Sequence, residues 1–100
     1  MLRNFLLNYD PFSTDPTPQR LLEFVKSNAL TYQYLHAFPG TFIIKSRAEY
    51  PQMLNSYRGF LAGNYMLLTE VSPMMVGGHM HDWQWQWLNN PNPPLIENQS

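Results

Sequence analysis

Three groups of residues in this chain have types and spacings that could do chemistry. Asp10 closes the short apolar run Phe5-Leu6-Leu7-Asn8-Tyr9 and is followed at once by Pro11. A carboxylate there stands where strands deliver side chains to a site. Such a carboxylate could bind a divalent cation. The alternative is an aspartate that opens the turn before Pro11 by hydrogen-bonding its own backbone. His79, His81 and Asp82 follow Gly77-Gly78 as an H-x-H-D cluster. Histidines two apart can grip one metal ion on an extended backbone, with Asp82 adding an oxygen. A complete site needs a further ligand, His36 or Glu70, and no spacing brings either near. The plainer reading is a polar loop leading into an Asp82-capped helix. Finally, Trp83, Trp85 and Trp87 could stack nucleobases, but stacking sites also need positive charge, and no Lys or Arg follows Arg58. The rings then close the open end of a core or sit in a subunit interface.

Other chemistries lack their parts. There is no cysteine, hence no disulfide, thiolate zinc site or thiol nucleophile. Ser46 and Ser72 have no partner base at a readable spacing. Gly77-Gly78 lacks the Lys-Ser/Thr that follows in a phosphate loop. The net charge is −1, with six basic residues spread along the chain, which does not support a nucleic-acid binder held by a basic stripe. No apolar run reaches membrane-spanning length, and the opening residues lack a signal-peptide layout, so no membrane partner and a cytoplasmic location are expected.

The elements that must position these groups are legible in outline. One hundred residues allow one domain. Phe5, Leu7 and Tyr9 alternate with Leu6, Asn8 and Asp10, giving a first strand with one wholly apolar face. Thr17-Pro18 reads as a helix start, Leu21, Leu22, Phe24, Val25 and Ala29 as its stripe, and Asn28 as a left-handed stop. Residues 31–36 and 41–45 form a hairpin about Pro39-Gly40. Ser46 and Glu49 resemble a capping box, although Pro51 can delay the second helix by a turn. Met53, Leu54, Tyr57 and Leu61 make its buried stripe, and Gly63 ends it. Residues 65–71 form the fourth strand. Trp83–Leu88 is ambiguous between strand alternation and one helical turn.

Strand, helix, strand, strand, helix, strand predicts an α+β, ferredoxin-like βαββαβ two-layer sandwich, with the first and third strands central. The domain is expected over residues 1–88. An Asn- and Pro-rich irregular tail spans 89–100, in which Leu95-Ile96 could dock on a sheet edge. Fifteen per cent aromatic against thirteen per cent charged residues points to rings covered by a second copy, a homodimer.

The order of motifs also resembles a family. Leu7-Asn8-Tyr9-Asp10 is similar to the first strand of the small CRISPR-associated adaptation subunit and its VapD-type and SinR-type relatives. Tyr34-Leu35-His36 through Pro39-Gly40-Thr41-Phe42-Ile43-Ile44 resembles their second and third strands. Asn64 to Val71 looks like the fourth strand of the SinR-type branch. There a Gly and a terminal W-D-W-L helix follow, matched here by Gly78 and Trp85-Gln86-Trp87-Leu88. This match favours a short helix over Trp83–Leu88. The resemblance covers about residues 3–88. It implies a homodimer built from open sheet faces or edges, with Leu6, Asn8, Trp83, Trp85 and Trp87 as interface residues, in a defence or toxin–antitoxin setting. Some relatives are regarded as metal-dependent endoribonucleases, which implies Asp10 as the catalytic carboxylate, two copies of it near the two-fold axis holding Mg or Mn and activating a water for phosphodiester cleavage. Others hold DNA on a basic first helix, where this chain offers only Arg20 and Lys26.

Overall fold

The computed structural model describes residues 2–72 and 77–90. The expected irregular tail and the docking of Leu95-Ile96 fall largely outside the described residues. Seven elements run in the order β1 (Arg3–Tyr9), α1 (Pro18–Ser27), β2 (Gln33–Phe38), β3 (Thr41–Ser46), α2 (Tyr50–Phe60), β4 (Met66–Val71) and α3 (Asp82–Asn89). The four strands form one antiparallel sheet in the order β2-β3-β1-β4. The two most buried strands, β1 and β3, are central, because a central strand has a neighbour on each side and no edge exposed to water. The fold is therefore α+β, with three helices on a four-stranded sheet.

The alternation of β1 decides which side each strand presents. Phe5, Leu7 and Tyr9 are buried on one face together with Phe42, Ile44 and Leu68. Their registered partners lie beside them, Phe5 opposite Ile44, and Leu7 opposite both Phe42 and Leu68. Leu21, Leu22 and Val25 of α1, with Met53 and Tyr57 of α2 and Leu61 just beyond it, close over this face. Removing one of these large buried side chains costs about 2–5 kcal/mol.

The opposite face has a different cover. Leu35 and Ile43 pack there under Trp87 and Leu88 of α3, with Leu6, Ala37, Met80 and Trp85 around them. Trp83–Leu88 is thus helical, and α3 lies over β2 and β3 on the face away from α1 and α2. On the β1–β4 half of that face, Leu67 is 63% exposed.

Local signals held with a few corrections. Thr17 caps α1, its hydroxyl accepting the Arg20 N–H at 3.2 Å, and Pro18 occupies the first turn. Asn28 ends α1 in an extended conformation (φ −69°) rather than a left-handed one, with its side chain accepting the Leu30 N–H and donating to Ser56. Ala29, expected in the buried stripe, is exposed beyond the helix end. The Ser46 hydroxyl accepts the Ala48 N–H instead of capping a helix, so α2 starts at Tyr50 with Pro51 in its first turn. β2 begins at Gln33, two residues later than expected. At the hairpin, Gly40 has φ +90°, and a Cβ there would lie 3.3 Å from the Tyr9 carbonyl oxygen, so the turn needs glycine. Among the described residues, no helix is long and apolar enough to cross a membrane.

Candidate functional site

Asp10 falls one residue beyond the end of β1, in the turn rather than on the sheet. Its Oδ1 accepts the Phe12 N–H at 2.9 Å, and its carbonyl accepts the Ser13 N–H. This is the turn-opening geometry that an aspartate before proline favours. Nearby, the Ser13 hydroxyl donates to Asn64 Oδ1 at 3.2 Å, and Asn64 Nδ2 donates to the Asp15 carbonyl at 2.7 Å. Asn64 thus ties the loop after β1 to the loop before β4. The cavity between Asp10, Ser13, Leu21, Asn64 and Tyr65 holds about 10 Å³, room for no more than one water.

His79, His81 and Asp82 are exposed at the start of α3. His81 is the residue before the helix and Asp82 its first helical residue, one position later than the cap expected. The His81 N–H donates to Gln84 Oε1 at 3.1 Å, while the His81 carbonyl accepts the Gln84 and Trp85 N–H groups. Asp82 carries negative charge at the positive end of the helix dipole. His36 and Glu70, weighed as further ligands, are engaged elsewhere. Among the described residues, no three His, Asp or Glu side chains are grouped to hold a metal ion.

His36 lies on β2, where its Nε2 is 2.8 Å from the Tyr9 hydroxyl and its ring stacks on Phe42 with centroids 4.4 Å apart. Burial holds the His36 pKa below its ordinary value and raises that of Tyr9. A neutral imidazole accepting the phenol proton suits both directions. Glu70 is bound to Arg3 at 2.9 Å across the β1–β4 pair, a half-exposed ion pair contributing about 0.2–1 kcal/mol.

The most unusual group is one that sequence reasoning missed. Asn4, Lys45 and Gln33 are registered neighbours across three strands, and all three are buried beneath α3. Lys45 Nζ donates to Asn4 Oδ1 at 2.8 Å and to the Leu88 carbonyl at 3.0 Å. It also lies 4.8 Å from the centroid of the Trp87 ring. Trp87 Nε1 donates to Gln33 Oε1 at 2.7 Å. This polar row fixes α3 to the sheet through Lys45 and Gln33, with Asn4 holding Lys45 from the third strand. Burial lowers the Lys45 pKa, opposed by the carbonyl at the helix's negative end and by the aromatic face. The only sequence signal was parity: Lys45 shares a strand face with Ile43.

The five residues expected at an interface separate into two kinds. Trp87, 3% exposed, is taken up inside the chain, whereas Trp83 is 47% exposed. Leu6, Asn8 and Trp85 are half-buried, with Asn8 Oδ1 accepting the Thr41 hydroxyl at 2.9 Å. Leu67, paired with Asn8, extends this surface to the sheet edge. On the other face, an open groove of about 400 Å³ runs between α2 and β4, floored by Leu54, Leu61, Met66 and Leu68, with Tyr50 and Arg58 on its rim.

The chain matches no protein-family model, no curated protein and no solved structure.

Proposed function

We propose that this chain is a ferredoxin-like protein that acts through protein–protein contact, and that it does so as a homodimer. The ferredoxin-like reading is supported by the strand order β2-β3-β1-β4 combined with α1 and α2 on one face, the outcome of two interleaved β-α-β units. The observation that carries the functional reading is the exposed Leu67 on the face that α3 leaves partly uncovered. Leu6 and Asn8 lie beside it on β1, Trp85 of α3 packs against the same face, and Trp83 at the start of α3 is exposed. A two-fold contact pairs such a patch with itself, covering apolar surface that a monomer leaves in water. The net charge of −1 adds no support for a nucleic-acid partner.

Light scattering coupled to size-exclusion chromatography, run across a concentration series, tests this reading. The expected result is a dimer mass for the wild type and a monomer mass for Leu67→Lys. The variant should keep its helical and strand circular dichroism, since Leu67 is exposed in the single chain. A wild-type mass that stays monomeric at every concentration overturns the proposal.

A further inference from the structure

The two edges of the sheet are not equivalent. β2, at one edge, carries an irregularity between His36 and Phe38, the kind of bulge that disfavours pairing with another strand. β4, at the other, keeps an unbroken register with β1 over six residues and contains no Lys, Arg or Pro. Its single charge, Glu70, is held by Arg3. The Leu68 carbonyl accepts the Tyr50 hydroxyl from α2 at 2.9 Å. A side-chain donor therefore stands where the backbone N–H of an added strand would arrive. Beside this edge lies the groove between α2 and β4, with an apolar floor and one charged lining residue, Arg58, which is exposed and has no acidic partner among the described residues.

We infer that the β4 edge and the α2–β4 groove take an extended segment of a partner protein, with alternate apolar side chains entering the groove and a carboxylate reaching Arg58. Strand addition supplies backbone hydrogen bonds that do not depend on sequence, and the pockets between strand and helix supply the choice of side chain. The charge of the groove selects the class of partner: an acidic, apolar strand fits, and a basic one is repelled. A second copy of this chain brings only Glu70 on β4, already engaged by Arg3. The inference rests on the reading that the chain works by protein contact; its groove opens on the opposite face from the proposed dimer, and the two share only Leu67, which also lines the groove.

The test is fluorescence anisotropy on the full chain with a labelled, end-capped peptide alternating valine and threonine around one glutamate. Its lysine counterpart and a version methylated on alternate backbone nitrogens serve as controls. The glutamate peptide should bind the wild type, and Arg58→Glu should weaken it about tenfold, the size expected for loss of a charge-assisted contact. The lysine peptide should show the reverse preference, binding Arg58→Glu better than the wild type. Backbone methylation should abolish binding. Tyr50→Phe, which frees the Leu68 carbonyl, should tighten binding about fivefold. Equal binding of both charged peptides to both proteins, or full binding of the methylated peptide, overturns the inference, as does no binding at all. Light scattering on the same samples separates the two proposals, because Arg58→Glu should leave the dimer mass unchanged. Displacement of the dimer by peptide would assign the edge to a second copy and overturn the inference too.

Discussion

The Lys45 ammonium nitrogen lies 3.0 Å from the carbonyl oxygen of Leu88, so the last turn of α3 is tied to the sheet by a buried cation that makes no ion pair with a carboxylate among the described residues. Asn4 Oδ1 and the Trp87 ring complete its surroundings. Dipoles stabilise a buried charge in place of water, and here a helix C-terminus, an amide and an aromatic face do so.

This arrangement makes Lys45 costly to truncate and easier to replace. Lys45→Ala leaves a void and two acceptors without donors, and should lower stability by about 2–4 kcal/mol in urea denaturation. Lys45→Met with Asn4→Leu fills the space and removes one stranded acceptor, and should recover most of that loss. A double variant no more stable than Lys45→Ala would show that the cation itself holds α3. Burial lowers the Lys45 pKa from 10.5. Its titration therefore favours folding fully above 10.5, and that contribution is lost as pH falls through the lowered folded value.

Tyr57 acts in the opposite sense at alkaline pH. Its hydroxyl is buried without a well-formed hydrogen bond, near the equally unpartnered Thr31 hydroxyl, and burial pushes its pKa up to about 12. The folded value is raised above the unfolded 10.0, so the stabilising contribution is complete below 10.0 and lost as pH rises through about 12. The loss is on the order of 2–3 kcal/mol. Tyr57→Phe should flatten this alkaline limb in urea midpoints while changing stability at neutral pH by less than about 1 kcal/mol. An unchanged limb in the variant would place the effect on Tyr9 or Tyr34, whose values are also raised.

His36 sets an acid limb. Its pKa is lowered from 6.5 by burial, so its contribution is present above 6.5 and lost as pH falls through the folded value. His36→Phe keeps the stacking on Phe42 and removes the titration. Thermal melts should then become less sensitive to pH below 6.5, and a proton-NMR titration of the wild type should find the His36 ring signal moving only in more acidic solution.

Asp10 can be separated into turn and chemistry by two substitutions. Asp10→Asn retains an oxygen for the Phe12 N–H and should fold with a stability within about 0.5 kcal/mol of wild type. Asp10→Ala removes that oxygen and should cost about 1 kcal/mol. With labelled RNA and Mg²⁺ or Mn²⁺, wild type and Asp10→Asn should behave alike. RNA cleavage by the wild type that is lost in a well-folded Asp10→Asn would support the paired-carboxylate reading.

Much of the fold was legible because its signals are local. Thr17-Pro18 fixes a helix start through a side-chain acceptor and a missing donor, Pro39-Gly40 fixes a turn through a left-handed glycine, and the alternation of Phe5, Leu7 and Tyr9 sets a strand face. The errors arose where two local preferences competed. Ser46 bonded Ala48 rather than capping a helix, and Asn28 took an extended conformation once its side chain found Ser56 and Leu30. The candidate sites were less legible. Asp10 and His81 are polar residues next to element ends, where backbone groups compete for any side-chain or carbonyl partner, and both proved to be bound in that way.

By itself, the sequence determined which segments up to Val71 become helix or strand and which strand face is apolar, because periodicity and capping act within a few residues; periodicity left Trp83–Leu88 open. It did not determine that α3 would cover the second face of the sheet, or that Lys45 would be buried under it. Those outcomes depend on partners 41, 43 and 54 residues apart, namely Lys45 with Asn4, Lys45 with Leu88, and Trp87 with Gln33. Such contacts form only once the strands are in register, when the removal of Trp87 and Leu88 from water offsets the cost of burying a charge.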